Sequence, residues 1–342
     1  MKIGLLFGGK SFEHDISIIT ANVVYHALKD KNEVYLLYVD KNGELRNPTK
    51  MVMEEFADKK KFRKICFKNG GLKVGYKNIK LDVIIGAMHG LNGEDGMSSI
   101  IANFYDIPYV GCNHITSAIL IDKYFTYAIL RANGIETIHT RCFLKTDKIY
   151  NKRYPVIVKP ARLGSSIGIS KINTYDELNQ KTKNAFMFDD KIILQPYMSN
   201  FKEYNQAAYL YGGEVILSKI EEVFKSDDIL SFEDKYITTK TDKKHTFITD
   251  KTKINMISDI TRKIYKLFEM SGIVRIDYMF IDDEVYVNEI NTTPGSLAYY
   301  LFDEEITTLL EKQIRTALLN HQNQRKNVFE SSVLKQNYAY KK

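Results

Sequence analysis

Cysteine is scarce in this sequence, and what there is lies far apart. Cys66, Cys112 and Cys142 form no CxxC pair, so neither a disulfide framework nor a zinc site is indicated. Long apolar runs are missing too. Nothing approaches the roughly 20 residues of a membrane span, and the apolar core of the opening Met1-Lys-Ile-Gly-Leu-Leu-Phe-Gly-Gly9 is too short for a signal peptide. No internal repeat or low-complexity segment is present. Charge of one sign is not concentrated: 49 Lys and Arg against 42 Asp and Glu leave +7, spread along the whole chain and shared by its basic end. Such a balance suits anionic small molecules and does not by itself indicate nucleic acid. The expectation is a soluble cytoplasmic protein with no nucleic-acid and no membrane partner, a homodimer being left open. At 342 residues the chain is long enough for two or three domains with real cores.

What is present is most informative late in the chain. Arg275-Ile-Asp-Tyr-Met-Phe-Ile-Asp-Asp-Glu-Val-Tyr-Val-Asn-Glu289-Ile-Asn291-Thr-Thr-Pro-Gly295 reads as two strands, roughly 273–281 and 284–290, joined by an acidic turn and ended by a Thr-Pro-Gly break. Glu289 and Asn291 are two apart and so share a strand face. Asp277 sits opposite Glu289 only if the pairing centres on Asp283, which demands an odd loop or a bulge. Two carboxylates and an amide oxygen would then converge, a hard oxygen set suited to Mg2+ held together with phosphate oxygens. The alternative is a plain hairpin with solvated charges.

Read in order, residues 2–7 form a buried strand ending in Gly8-Gly9, and a helix follows from Ser17 to Leu28. Strand, glycine turn and helix open a doubly wound α/β domain, whose ligands meet the carboxyl ends of its strands. Between them lies Lys10-Ser-Phe-Glu13-His14-Asp15, where Glu13 either accepts from a substrate ammonium or complements the helix N-terminus. Strand 33–39 precedes an insertion with minor strands through residue 80. Strand 82–88 ends in His89-Gly-Leu-Asn-Gly-Glu-Asp-Gly96, which makes His89 a site residue or a core histidine. A helix over 97–105 and a strand over 107–111 complete the first domain. Thr116 is the expected N-cap of a helix to about Asn133, with Gly134 ending it. Lys123 lies within that helix and by spacing alone is a surface lysine.

A second informative run is Tyr154-Pro-Val-Ile-Val-Lys159-Pro-Ala-Arg-Leu-Gly164-Ser165-Ser166-Ile-Gly168-Ile-Ser-Lys171. A strand presents a lysine, and a Gly-Ser-Ser-x-Gly loop then frees backbone N–H groups and serine hydroxyls for phosphate oxygens. The sequence after Gly168 stays β-like, which is not the strand–loop–helix order of a Walker loop. An ordinary flexible hairpin is the competing reading. Strand 192–195 leads to Pro196-Tyr197-Met198, an edge on which an adenine can hydrogen-bond, with Glu203 beyond. Strands near 204–211 and 214–221 are followed by a polar stretch, 224–250, that reads as a mobile lid and contains Lys235-Tyr236. Helices over 252–271 and near 304–320 flank the hairpin, and the end of the chain is expected to fray.

In this order the motifs LLFGGKSFEHDIS, MHGLNGEDG, Asp106-Ile-Pro-Tyr-Val-Gly111, Ile121-Asp-Lys123, VIVKPARLGSSIGISK, Lys235-Tyr236 and RIDYMFIDDEVYVNEINTTPG resemble the ATP-grasp superfamily, specifically the D-alanine–D-alanine ligases. They span the first strand to about residue 302. The resemblance implies an α/β fold with α+β elements in three domains: a doubly wound 1–112, a central 113–195 with the glycine-rich lid, and 196–320 with the metal site, before a fraying 321–342. It implies an ATP-dependent carboxylate–amine ligase that joins two small amino acids through an acyl phosphate, D-alanine to D-alanine for peptidoglycan. Mg2+ is the implied metal, with Mn2+ as a substitute. Glu13 would hold the first amino acid's ammonium, with His89 lining the same pocket. Lys123 and Lys159 would contact the phosphates beneath the lid residues Ser165 and Ser166. Gln195, Tyr197 and Met198 would meet the adenine, and Glu203 the ribose. Asp277, Glu289 and Asn291 would hold the metal. Arg275 and the Gly295 N–H would steady the oxyanion, and Lys235-Tyr236 would close over the site, Tyr236 towards Ser165.

Three departures bear on the acceptor and the nucleotide. Tyr300, followed by Leu301, stands where the family commonly has a serine that binds the second substrate's carboxylate. Leu163 occupies a lid position that is often acidic, and Gln195-Pro196 replaces the usual Glu-Lys, removing a backbone donor at the adenine edge. Tyr236, where depsipeptide-forming relatives tend to carry histidine, favours an amine acceptor. The alternatives are a divergent ligase with another acceptor, or a nucleotide-binding homologue without catalysis.

Overall fold

The opening apolar run forms a strand, Lys2–Gly8, with every residue after Lys2 buried. That is the pattern of a parallel strand covered on both faces. In this computed structural model, which describes residues 1–57, 62–223 and 245–324, it lies inside a six-stranded sheet. The order is Arg63–Lys64, Leu45–Asn47, Glu33–Val39, Lys2–Gly8, Val83–Gly86, Tyr109–Val110. The last four run parallel, and the first two add an antiparallel edge. The chain steps from Lys2–Gly8 to one neighbour and later returns to the other side. A crevice therefore opens at the carboxyl ends of Lys2–Gly8 and Val83–Gly86. Ser17 pins that crevice: its hydroxyl accepts from the Gly8 N–H and donates to the Ala87 carbonyl, both at 2.7 Å. Gly8 has φ +91°, and a Cβ there would meet the Val39 carbonyl oxygen at 2.2 Å, so no other residue fits.

The helix after this strand begins earlier than its periodicity suggests, at His14. The insertion contains the expected small strands together with a short helix, Met53–Ala57. The strand expected over 107–111 is only Tyr109–Val110. The single helix expected from a Thr116 cap is two helices, His114–Leu120 and Lys123–Ala132. Asn113 is the first cap, accepting the Thr116 N–H at 3.0 Å, while the Thr116 hydroxyl donates to the Phe268 carbonyl at 2.7 Å. Asp122 causes the break. Its carboxylate accepts from the Tyr124 and Phe125 N–H groups, capping the second helix, and pairs with buried Lys191 at 2.8 Å.

Beside a small three-stranded sheet in the insertion, two larger sheets build the rest of the frame. One is antiparallel, ordered Arg141–Leu144, Lys191–Pro196, Val156–Pro160, Ser170–Ile172, and carries the Gly-Ser-Ser loop between its last two strands. The other is five-stranded, ordered Thr246–Phe247, Glu214–Val223, Lys202–Tyr211, Val274–Ile281, Glu284–Asn291. Helix Lys251–Leu267 covers its back, where Tyr204, Tyr278 and Ile276 join Ile257 and Ile264 in one core. The last helix among the described residues, Ile306–Asn323, returns to the first sheet and buries Leu309, Leu310 and Ile314 with Leu5 and Val24.

Candidate active site

Cross-strand register sets the cleft-facing side of the five-stranded sheet. Phe247 pairs with Glu221, Glu221 with Asn205, Asn205 with Asp277, and Asp277 with Glu289, so one ladder row crosses the whole sheet. Residues directly opposite share a face. Glu203, Arg275 and Asn291, each two positions along from a member of the row, project to the same side. The turn is only two residues, Asp282-Asp283, which alone would set Asn288 against Asp277. A bulge between Asp277 and Tyr278 shifts the register and puts Glu289 there instead. The bulge is anchored: Tyr127, buried in the neighbouring sheet's cluster, donates its hydroxyl to the Asn288 carbonyl at 2.5 Å.

The carboxylates of this row are charge-compensated. Arg275 grips Asp277 through two bonds, Nε to Oδ1 at 2.7 Å and Nη2 to Oδ2 at 2.8 Å. Asn291 donates to the same carboxylate at 3.2 Å, and the Asn205 amide, with its nitrogen turned that way, donates at 3.1 Å. Burial nevertheless holds the Asp277 carboxyl above its ordinary value, against the pull of Arg275. Glu289 pairs with Lys123 at 3.0 Å. Two carboxylates and an amide on one ladder face are hard oxygen donors, a set that fits Mg2+. Among the described residues no three His, Cys, Asp or Glu gather at metal-binding distance. Any divalent ion taken here would draw its protein oxygens from this mixed set.

Lys123 departs from its surface assignment. It is the first residue of its helix, 8% exposed, and its ammonium reaches both Glu289 and the Leu163 carbonyl at 2.8 Å. The Asp122 break aims it inwards, a feature that helical periodicity cannot reveal.

The opposite wall comes from the first sheet's crevice. Glu13 is buried there and accepts from the Ser165 hydroxyl, which ties the glycine-rich loop to the first sheet. Ser165 and Ser166 have φ +54° and +60°, so the loop turns through left-handed backbone. His89 is buried, with Nε2 against the Thr20 hydroxyl at 2.8 Å. Burial, with Arg275 adding to it, lowers its pKa to about 4, so the ring is neutral at pH 7. The unfolded chain protonates this histidine near its usual pKa, and the native protein does so only near the lowered one. Stability therefore falls as pH drops through that window. Urea unfolding should show the ligand-free protein losing about 3 kcal/mol more than a His89→Gln variant on moving from neutral pH to the lowered pKa.

Glu94 is a site residue that sequence reasoning missed. Its carboxylate accepts the Gly90 N–H at 3.0 Å and the Thr293 N–H at 3.1 Å, bridging the first sheet's loop to the hairpin exit. Burial first, then Glu13, pushes its carboxyl up to about 8. His89-Gly-Leu-Asn-Gly-Glu-Asp-Gly96 was legible as a flexible glycine loop, and the acid within it was the available signal.

These walls enclose a cavity of about 790 Å³. Glu13, His89, Lys123, Ser165, Glu203, Arg275, Asp277, Glu289, Asn291, Gly295 and Tyr300 all line it. Lys159, Ser166, Gln195, Tyr197 and Met198 do not. Lys159 lies over the Tyr127 ring, Gln195 donates to the Thr140 hydroxyl at 2.8 Å, Tyr197 carries Lys171 on its face, and Met198 packs with Ile138 and Met279. Leu301 is a core residue, fully buried with Ala207 and Ala298; its neighbour Tyr300 faces the cleft. Lys235 and Tyr236, with most of the expected lid, lie outside the described residues.

Behind the hairpin the chain makes a short kinked 3₁₀ segment, Gly295–Leu301, in which Ser296, Leu297 and Ala298 have φ between +48° and +54°. The Ser296 N–H donates to Thr20 at 3.0 Å, and Leu297 is buried in the first sheet's core.

Known proteins match this geometry along its length. The family models described as the D-ala D-ala ligase N-terminus and C-terminus match residues 2–112 and 124–308. A D-alanine–D-alanine ligase of Thermosipho melanesiensis is 37% identical over 324 residues, 89% of each chain. The crystal structure of the Helicobacter pylori D-alanine–D-alanine ligase superimposes with a TM-score of 0.80 at 30% identity, covering 92% of this chain and 98% of that one. The VanG D-Ala:D-Ser ligase of Enterococcus faecalis does so with 0.78 at 25% identity, covering 92% and 99%. Matched by both family models, and sharing more than a third of its residues with a relative over nearly its whole length, the chain belongs to the D-alanine–D-alanine ligase family.

Proposed function

We infer that this chain is an ATP-dependent ligase that joins two D-alanine molecules into the dipeptide used in peptidoglycan synthesis. One observation carries the reading: Glu13 with Ser165 on one wall and Arg275, Asp277 and Glu289 on the other face a single cavity. A carboxylate is a poor electrophile with a poor leaving group, and phosphorylation by ATP removes both faults. The amine of the second substrate then displaces phosphate from the acyl phosphate.

Each wall has its task in that sequence. Glu13 accepts hydrogen bonds from the first D-alanine's ammonium, beside a neutral His89 that adds no competing charge. Lys123 and Lys159 balance the phosphates, with Ser165 and Ser166 donating from the loop above. Glu203 serves the ribose, and the edge at Gln195, Tyr197 and Met198 serves the adenine. Mg2+, with Mn2+ as a substitute, would be held by Asp277, Glu289 and Asn291, neutralising charge on the phosphate oxygens. Arg275 and the Gly295 N–H stabilise the tetrahedral oxyanion. Lys235 and Tyr236 belong to a segment that excludes water while the acyl phosphate waits. On this reading residues 1–112, 113–195 and 196–320 are three domains that part to admit substrates, and the use of ATP is the reason to assign the enzyme to the cytoplasm.

ADP release with Mg2+ and ATP across a panel of D- and L-amino acids, with product mass recorded, tests the proposal. D-Alanine should stimulate release most and yield the dipeptide mass. ADP release that ignores the amino acid, or that gives no dipeptide, overturns it.

A further inference from the structure

The extra residue of the hairpin bulge is Asn288. Asp277 pairs with Glu289 and Tyr278 with Val287, which leaves Asn288 outside the ladder between them. It lies on Glu284–Asn291, the edge strand of the five-stranded sheet. Against that edge stands one stretch of the preceding segment, residues 123–137. The Val287 N–H donates to the Glu136 carbonyl at 2.9 Å, and Thr137 bridges Val287 in parallel. The Tyr127 hydroxyl donates to the Asn288 carbonyl at 2.5 Å. Lys123 pairs with the Glu289 carboxylate at 3.0 Å. Three consecutive hairpin residues are thus held by one helix and its exit. Lys123 and Tyr127 are four apart in Lys123–Ala132, so they leave the same helix face. Only the Tyr127 contact falls on the bulged residue itself. Its ring is 2% exposed, packed with Ala161 and Ile193 and with the Lys159 ammonium 6.0 Å from its centre, so the hydroxyl is presented from a fixed base.

We propose that Tyr127 is a positioning residue for the divalent ion: its hydroxyl holds the Asn288 carbonyl in the bulge and so keeps Glu289, rather than Asn288, opposite Asp277. This rests on the metal set assigned in the function proposed above. Strand period gives the contact its weight. A slip of one residue exchanges the two faces of a strand, so Glu289 and Asn291 would turn to the back of the sheet and Asn288 would face the cleft. A neutral amide would then stand where a carboxylate is needed, and Lys123 would lose its partner as well. Tyr127 acts through the hairpin backbone and supplies no donor to the ion.

The test uses the full-length chain. Mn2+ uptake is followed by electron paramagnetic resonance with a non-hydrolysable ATP analogue, and binding of the analogue without divalent metal by calorimetry. Tyr127→Phe keeps the ring in its packing and removes only the donor. Its Mn2+ Kd should rise about tenfold, the effect of leaving one buried acceptor unpaired, while the metal-free analogue Kd stays at the wild-type value. In dipeptide assays the Mg2+ concentration giving half the maximal rate should rise by a similar factor, with the KM for D-alanine unchanged. Tyr127→Leu, which loses the ring too, should melt lower yet bind Mn2+ no more weakly than Tyr127→Phe. An unaltered Mn2+ Kd in Tyr127→Phe, or a Kd that follows the melting temperature across the two variants, overturns the inference and leaves the metal set standing. A wild type that takes up no Mn2+ with the analogue overturns both.

Discussion

Replacing Glu289 by alanine is expected to lower kcat by about three orders of magnitude, the upper end of what one preorganised electrostatic group contributes. The reason lies in register. The bulge brings Glu289 opposite Asp277, and without that carboxylate the proposed metal set keeps only Asp277 and Asn291, too few hard oxygens to hold a divalent ion against the phosphates. Lys123, buried beside it, simultaneously loses its partner at 3.0 Å. The Glu289 side chain is 26% exposed, so the substitution opens no cavity, and with Lys123 keeping the Leu163 carbonyl at 2.8 Å the variant should stay folded at assay temperature with a lowered melting point. Dipeptide formation measured at saturating ATP and D-alanine, beside Mn2+ binding followed by electron paramagnetic resonance with a non-hydrolysable ATP analogue, distinguishes the site from the scaffold. Normal ligation by the variant removes the metal assignment.

Arg275→Met should be costly in a different way, because it damages stability and activity together. Asp277 has an 8% exposed side chain and takes two of its bonds from Arg275, at 2.7 and 2.8 Å. Stripping a buried ion pair of one partner costs about 3–5 kcal/mol, since the remaining charge is left uncompensated. The sign with pH follows from the carboxyl, already held above its ordinary value by burial and pushed further up once the guanidinium is gone. A raised carboxyl is destabilising where the native protein is forced to ionise it. The deficit against wild type should therefore be full at alkaline pH and shrink on acidification as Asp277 takes up a proton. Adding Asp277→Asn should restore much of the stability and none of the ligation. Chemical denaturation from acid to alkaline pH, alongside dipeptide assays, reads both; a pH-independent deficit would show that the pair is not the source.

How much of this was legible in the sequence depends on range. The hairpin was readable to its face and even to its need for an extra residue, because strand period and turn length are local arithmetic. The order of motifs identified the family. Lys123 was not readable by period, since a helix interrupted at Asp122 presents a different side from a continuous one, and the interruption depends on Lys191 far along the chain. Glu94 was hidden for a related reason: its partner, the Thr293 N–H, is 199 residues away. Leu301 and Tyr300 are adjacent in sequence and differ in fate, one in the core and one in the cleft, at the end of a segment whose left-handed residues no helical or strand period anticipates.

That turn has a wider consequence. L-residues in left-handed backbone cost on the order of 1 kcal/mol each, and Ser296, Leu297 and Ala298 adopt it in succession. What holds them is supplied from outside the turn: the Thr20 hydroxyl from the first helix and the apolar core beneath the first sheet. A fragment lacking the opening hundred or so residues would keep the whole hairpin in its sequence and still have no reason to bend there. This part of the cavity floor thus belongs to neither half of the polypeptide. It is an inheritance of their union, and severing the chain between them would forfeit it before a single donor atom was lost.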